Sequence, residues 1–255
     1  TWRASLVAGL VERVAAVLAG AAAPGAVAPV TFTVDEERLA VEAARTGEPA
    51  LSLRAVLAPE AHDPAAGEPM GVELALALVD RPGLLGTVAG VLALNRLTVR
   101  SLTLRELDPI GAGPVLLLSW RVAAEFGELP QASRLRADLR RALDGSLDTG
   151  RKLAERDAAA PRRRGIATPP PVVSVAPGGA SASATVLEVR AHDAPGLLHR
   201  IGRALDAAGV RVRTAHVSTL GAEAVDAFYL TDAAGLALAP ERALEVAAAV
   251  RSTLG

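Results

Sequence analysis

The sequence contains no cysteine, which excludes disulfides, thiolate metal sites and cysteine nucleophiles. Aromatic residues make up 2% of its 255 positions, so any core has to be built from Leu, Val and Ala. Lysine occurs once, at Lys152, and the rest of the positive charge is arginine. A net charge of −1 gives no electrostatic attraction for nucleic acid. No unbroken apolar run reaches the ~18–20 residues that span a bilayer. Neither nucleic acid nor membrane is therefore an expected partner, and a cytoplasmic location is the default. The opening Thr1-Trp2-Arg3-Ala4 has neither an initiator Met nor a signal-peptide layout, and reads as a cut from something longer.

What is present is apolar residue at 51% of positions, enough for one large domain or two small ones. Trp2, Leu6, Val7, Leu10, Val11, Val14, Val17 and Leu18 share one helical stripe, so a helix is expected over residues 1–20, stopped by Gly20 and Pro24. Residues 21–71 read as a connecting segment. In it Val30–Val34 and Leu51–Leu57 suggest short strands around a helix at Asp35–Ala44, and the Pro-rich Ala58–Met70 reads as a loop.

From Val72 the pattern sharpens. Val72, Leu74, Leu76 and Leu78 alternate at strand period, Asp80-Arg81-Pro82-Gly83 interrupts, and Leu84, Leu85, Val88, Val91 and Leu92 follow at helical spacing. Thr98–Leu107 and Val115–Val122 predict two strands, and Pro130–Leu143 a second helix. A β-α-β-β-α domain is thus expected over 72–157, then a linker over 158–184 carrying Arg162-Arg163-Arg164, a solvated run. Within it Val172–Val175 reads as a short strand that could close the first domain at 172–176.

Over 185–255 the pattern returns. A shift of 113 positions lays Asp80, Pro82, Gly83, Leu84, Leu85, Leu92, Val99, Arg100 and Leu107 on Asp193, Pro195, Gly196, Leu197, Leu198, Leu205, Val212, Arg213 and Leu220. That is an internal repeat of one structural unit. The β-α-β-β-α-β order is the split βαβ, ferredoxin-like plan. The fold class expected is α+β, two ferredoxin-like βαββαβ domains in tandem behind an N-terminal helix.

The twice-used Asp-x-Pro-Gly-Leu-Leu turn resembles that of the ACT family of amino-acid-sensing modules. At each turn a glycine lets a ligand approach the backbone, and a helix begins whose free N–H groups suit a carboxylate. Asp80 and Asp193 can hold an ammonium group, or can simply serve as turn residues with Pro fixing the helix start. The candidate ligand-binding residues are Asp80, Pro82, Gly83, Leu84 and Leu85 in the first copy and Asp193, Pro195, Gly196, Leu197 and Leu198 in the second. Asn95 joins them, because an Asn at that place resembles a ligand-contacting residue of ACT modules.

The second copy, through Thr185–Val189, Asp193–Leu198, Ala215–Thr219 and Ala224–Asp232, resembles the C-terminal ACT repeat of the PII uridylyltransferase/uridylyl-removing enzyme family. That resemblance implies a parent with nucleotidyltransferase and HD phosphohydrolase domains that are Mg-dependent. It further implies that the ACT pair senses free glutamine, that its partners are the parent's catalytic domains and, through them, the PII signalling protein, and that residues 1–20 are the tail of the HD domain. No cofactor is expected in this chain and no catalytic residue or metal site is assigned. The nucleotidyltransferase Gly-Ser turn is absent, and the two His-Asp pairs, His62-Asp63 and His192-Asp193, are isolated. His216 is expected in core or interface packing. The rival readings are a purely structural pair and another amino-acid-sensing tandem.

Overall fold

The computed structural model describes residues 32–56, 71–124, 131–159, 169–176, 181, 183–220 and 222–255. The chain divides between Thr33 and Val34 into two compact units, and every element below belongs to the second. The helix expected over 1–20, the loop over 58–70 and the Arg162–Arg164 run lie outside the described residues.

The first module comprises α1 (Val34–Thr46), β1 (Ala50–Val56), β2 (Gly71–Val79), α2 (Leu84–Leu94), β3 (Leu97–Leu107), β4 (Val115–Ala124), α3 (Ala132–Leu143) and α4 (Thr149–Ala159). The second comprises β5 (Val172–Val175), β6 (Thr185–His192), α5 (Leu197–Ala207), β7 (Arg211–Leu220), β8 (Glu223–Thr231) and α6 (Pro240–Leu254). All eight strands form one antiparallel sheet in the order β1-β2-β4-β3-β7-β8-β6-β5. The α+β fold with two ferredoxin-like units is therefore as expected.

The closing strand of each module comes from its N-terminal side. Val172–Val175 pairs with β6, Val173 opposite Val189, and so completes the second module rather than the first. The place it would take beside β2 is filled by β1, with Leu53 opposite Leu74. Strands joined by a short connection pair antiparallel at little loop-closure cost, which favours both arrangements over a return across the sheet. The strand expected at Val30–Val34 is not formed at its end, since Val34 opens α1. Helix α4 was not foreseen: its sequence, Thr149–Ala159, buries only Thr149 and Leu153, too little to register as an apolar stripe.

The pairing register makes the repeat concrete. Leu74 lies opposite Trp120 and Leu187 opposite Phe228. These two aromatic side chains, both essentially inaccessible, fill equivalent places in a core otherwise made of Leu, Val and Ala. Residues one step along a strand face the other side of the sheet. There α1 sits in the first module, where Glu36 pairs with Arg105 and accepts a 3.3 Å hydrogen bond from Ser119. On the second module's equivalent strands His216 is exposed, not packed in the core, and stands edge-on to Tyr229 at 5.8 Å.

Candidate functional site

Both Asp-x-Pro-Gly turns fold the same way. After β2, the Asp80 N–H donates to Pro114 O at 2.9 Å, and after β6 the Asp193 N–H donates to Ala222 O at 2.9 Å. Gly83 then adopts φ 77° and Gly196 φ 80°, a conformation that strains any other residue. The first intrahelical bonds run from Thr87 N–H to Gly83 O and from Arg200 N–H to Gly196 O, both 3.0 Å. No side chain caps either helix; at the second corner the Leu197 N–H donates to Ala194 O at 3.0 Å, and the next N–H groups of the first turn have no side-chain acceptor.

The two corners are brought to one interface by a glycine-mediated helix crossing. A methyl group added at Gly202 of α5 would lie 2.6 Å from Gly86 N and 2.7 Å from its Cα in α2. Beside this contact the buried His199 hydrogen-bonds Gly86 O through Nδ1 at 2.7 Å. A carbonyl only accepts, so Nδ1 carries the proton and fixes the neutral tautomer. Burial pulls the His199 pKa below its ordinary value, partly opposed by that carbonyl, so the ring is neutral near pH 7. With the helices locked antiparallel and β3 paired to β7 at Ser101–Ser218 and Leu102–Val217, each corner faces the chain that leaves the other module's first helix.

Two cavities result. The first corner's, about 450 Å³, contains Asp80, Pro82, Gly83, Leu84 and Leu85 and is completed by Asp206 and Gly209–Arg213 of the second module. The second corner's, about 160 Å³, contains Asp193, Pro195, Gly196, Leu197 and Leu198 and is completed by Ala93, Arg96–Val99 and Arg156 of the first.

At several places related by the repeat the cavities differ. Facing the first corner, Arg211 donates to Asp80 Oδ2 at 2.8 Å, and Asp206 Oδ2 would lie 3.2 Å from a methyl group at Gly83. At the 113-residue shift these two residues correspond to Thr98 and Ala93, which face the second corner and carry no charge. Behind the corners, Leu76 lies opposite Leu118 and its repeat partner Val189 lies opposite Asp226. An aspartate thus occupies a core position, 2% exposed, in the row Ala224, Asp226, Phe228, Leu230.

Asp226 accepts one long bond, 3.4 Å from Ser218 N–H at Oδ1. Burial, reinforced by the charge of Asp193, raises its pKa to about 7 against the pull of that bond. Across the same cavity Arg156 of α4 donates through Nη1 to Ala93 O at 2.7 Å, while its Nη2 is buried with no hydrogen-bond partner. Arg96 also lines this cavity, at φ 55°, where the second module has Gly209 at φ 68°.

The structure therefore gathers ten of the eleven predicted residues at two cavities. Asn95 lines neither: its amide donates to Val91 O at 3.0 Å and to Asp138 Oδ2 at 3.2 Å, tying α2 to α3. Asp226, Arg156, Asp206 and Arg211 were missed. The period of β8 carried a signal for Asp226, since it interrupts an apolar face.

A family model described as the ACT domain matches residues 185–244. The bifunctional uridylyltransferase/uridylyl-removing enzyme of Streptomyces coelicolor is 55% identical over 100% of this chain and 33% of its own length. The enzyme of that name from Mycobacterium tuberculosis is 31% identical over 90% of this chain and 27% of its own, and that from Gluconobacter oxydans 34% identical over 64% and 17%. The chain thus spans about a third or less of the length of these relatives. A solved aspartate kinase from Synechocystis aligns at TM-score 0.34 and 13% identity over 79% of this chain and 36% of that one. Among the described residues no helix is long and apolar enough to cross a membrane.

Proposed function

We propose, from the premise that the chain belongs to the ACT-bearing regulatory region of the bifunctional uridylyltransferase/uridylyl-removing enzyme family, that it binds free glutamine and reports it to the parent's catalytic domains. The observation that carries this reading is the pairing of an uncapped helix N-terminus with acidic side chains in one cavity between modules. The helix end favours an α-carboxylate, and Asp193 or Asp80 favours an α-ammonium. Because each cavity takes one wall from each module, ligand contacts both, and binding favours whichever arrangement of the pair best closes on it. The parent's catalytic domains would read that arrangement, shifting uridylylation of PII against its reversal.

The rival is a pair that holds its shape and binds nothing. Titration calorimetry of the folded chain with L-glutamine separates the two. Saturable heat supports sensing; its absence with glutamine and with the other common amino acids leaves the structural reading.

A further inference from the structure

The two corners share a backbone and differ in whether their polar groups already have partners. We propose that ligand enters only the second corner, held between Asp193 and Asp226 on one side and the Arg156 guanidinium on the other, and that Asp206 and Arg211 act at the first corner as a built-in substitute for ligand. This rests on the amino-acid-sensing reading and assigns its site.

At the first corner, both charges of a zwitterion are already represented. Arg211 occupies Asp80 at 2.8 Å, the partner an α-ammonium would need. The Asp206 carboxylate lies against Gly83, where an α-carboxylate would approach the start of α2. Asp206 stands in the last turn of α5, the end where a carboxylate is least favoured by its own helix. It faces the start of α2 without hydrogen-bonding it. Room does not distinguish the corners, because the first cavity is the larger.

At the second corner the groups are in place and unspent. Asp226 is buried with one long hydrogen bond and, among the described residues, no ion pair to a cation. Buried carboxylates are ordinarily paired. Arg156 Nη2 is a buried donor without an acceptor, carried by α4 of the first module. The cavity is thus furnished with acceptors for an ammonium and a donor for a carboxylate or amide oxygen, which is the chemistry of a small zwitterionic amino acid.

The test is calorimetry with L-glutamine on the full chain and four variants, each checked for a native thermal transition. Wild type should bind one glutamine per chain. A93D/T98R, which installs at the second corner the residues that fill the first, should abolish binding. D206A/R211T should leave affinity within about two-fold. D226N and R156Q should each weaken it by about ten-fold or more. Two sites in wild type, or loss of binding in D206A/R211T with A93D/T98R unaffected, overturns the assignment while sensing stands. No heat from any amino acid with wild type overturns both. Should A93D/T98R fail to fold, R156Q decides: unchanged affinity there overturns the proposal.

Discussion

The two modules show one backbone put to two uses. Strand order, corner hydrogen bond, glycine conformation and even the bulge between Val99 and Ser101, repeated between Val212 and Thr214, are shared. The differences lie in side chains that meet at the corners. Behind the first is Leu118 and ahead of it an ion pair; behind the second is Asp226 and ahead of it Ala93 and Thr98. A module selected for stability alone gains nothing from a buried carboxylate, which has to be desolvated with little compensation. The second module carries that burden, while the first is arranged to be complete without ligand.

The largest effect expected from breaking this asymmetry is at Asp226. Its pKa in the folded chain is raised to about 7 from an ordinary carboxylate value, so the folded state keeps a proton that the unfolded state has lost. Stability therefore falls as pH rises through the interval from about 4 to 7 and levels off above it. The loss is of order 4 kcal/mol, one pKa unit being about 1.4 kcal/mol. Replacing Asp226 by the residue of the first module, Asp226→Leu, should remove most of that decline, so urea midpoints at pH 8 should rise while those at pH 4.5 change little. The groups lining the cavity around Asp226 are Asp193, His199, Arg96 and Arg156. Among the described residues the hydrogen-bond partner of Asp226 is Ser218 N–H, so a ligand ammonium should draw the proton off. Glutamine binding at pH 6.5 should then release protons, visible as a dependence of calorimetric heat on the buffer's ionisation enthalpy. Heat independent of buffer would count against an Asp226 contact.

Next in size is the helix crossing that lets the modules face one another. Gly202→Ala places a methyl group 2.6 Å from Gly86 N, backbone that cannot swing aside. Overpacking of this kind costs about 1–3 kcal/mol. Gly209→Ala, where nothing lies within 4 Å of the added atom, costs only the positive-φ strain of about 1–2 kcal/mol. The first variant should also weaken glutamine binding by separating the walls of both cavities. Equal losses in the two would mean that the crossing is looser than its geometry.

How much of this the sequence disclosed follows physical range. The strand–turn–helix unit is local, and its Pro-Gly corner and alternating Leu residues are visible twice, which is why the fold was read correctly and ten of the candidate residues fall at the two corners. Pairing of Val172–Val175 was misassigned because a short valine strand matches either module equally, and only the presence of β1 beside β2 decides it. Arg156 was invisible for a different reason. Its helix lies more than fifty residues along the chain from the Ala93 carbonyl it binds, and no periodicity announces such a contact. The offset of 113 already set Ala93 against Asp206 and Thr98 against Arg211, but a mismatch within a repeat has no meaning until the two residues are seen opposite equivalent corners.

Arg96 gives a finer probe of the same comparison. It holds φ 55° where its counterpart is Gly209, so Arg96→Gly relieves strain of about 1–2 kcal/mol if nothing else changes. Strain retained in a non-glycine residue at a cavity wall points to a use for the side chain. The expected result is a variant slightly more stable to urea that binds glutamine several-fold more weakly. A variant that gains stability and keeps full affinity would reduce Arg96 to a bystander.

The smallest effect on stability is expected where the side chains look most purposeful, at Asp80 and Arg211. Arg211 is about half exposed, so solvent screens the pair, and exposed pairs contribute about 0–1 kcal/mol. Arg211→Thr should therefore shift the thermal midpoint by no more than about 2–4 °C. Its informative consequence lies elsewhere. With Arg211 gone and Asp206 changed to Ala, the first corner carries at those two places uncharged side chains like Ala93 and Thr98 of the second. Glu106 and Arg213 stay in its wall, Leu118 stands in place of Asp226, and no buried unpartnered guanidinium is among its lining residues. If an uncapped helix end and one aspartate suffice to hold glutamine, that double variant acquires a second site. If the buried carboxylate and the arginine on α4 are required, it remains at one, and the difference between the modules resides in those two residues.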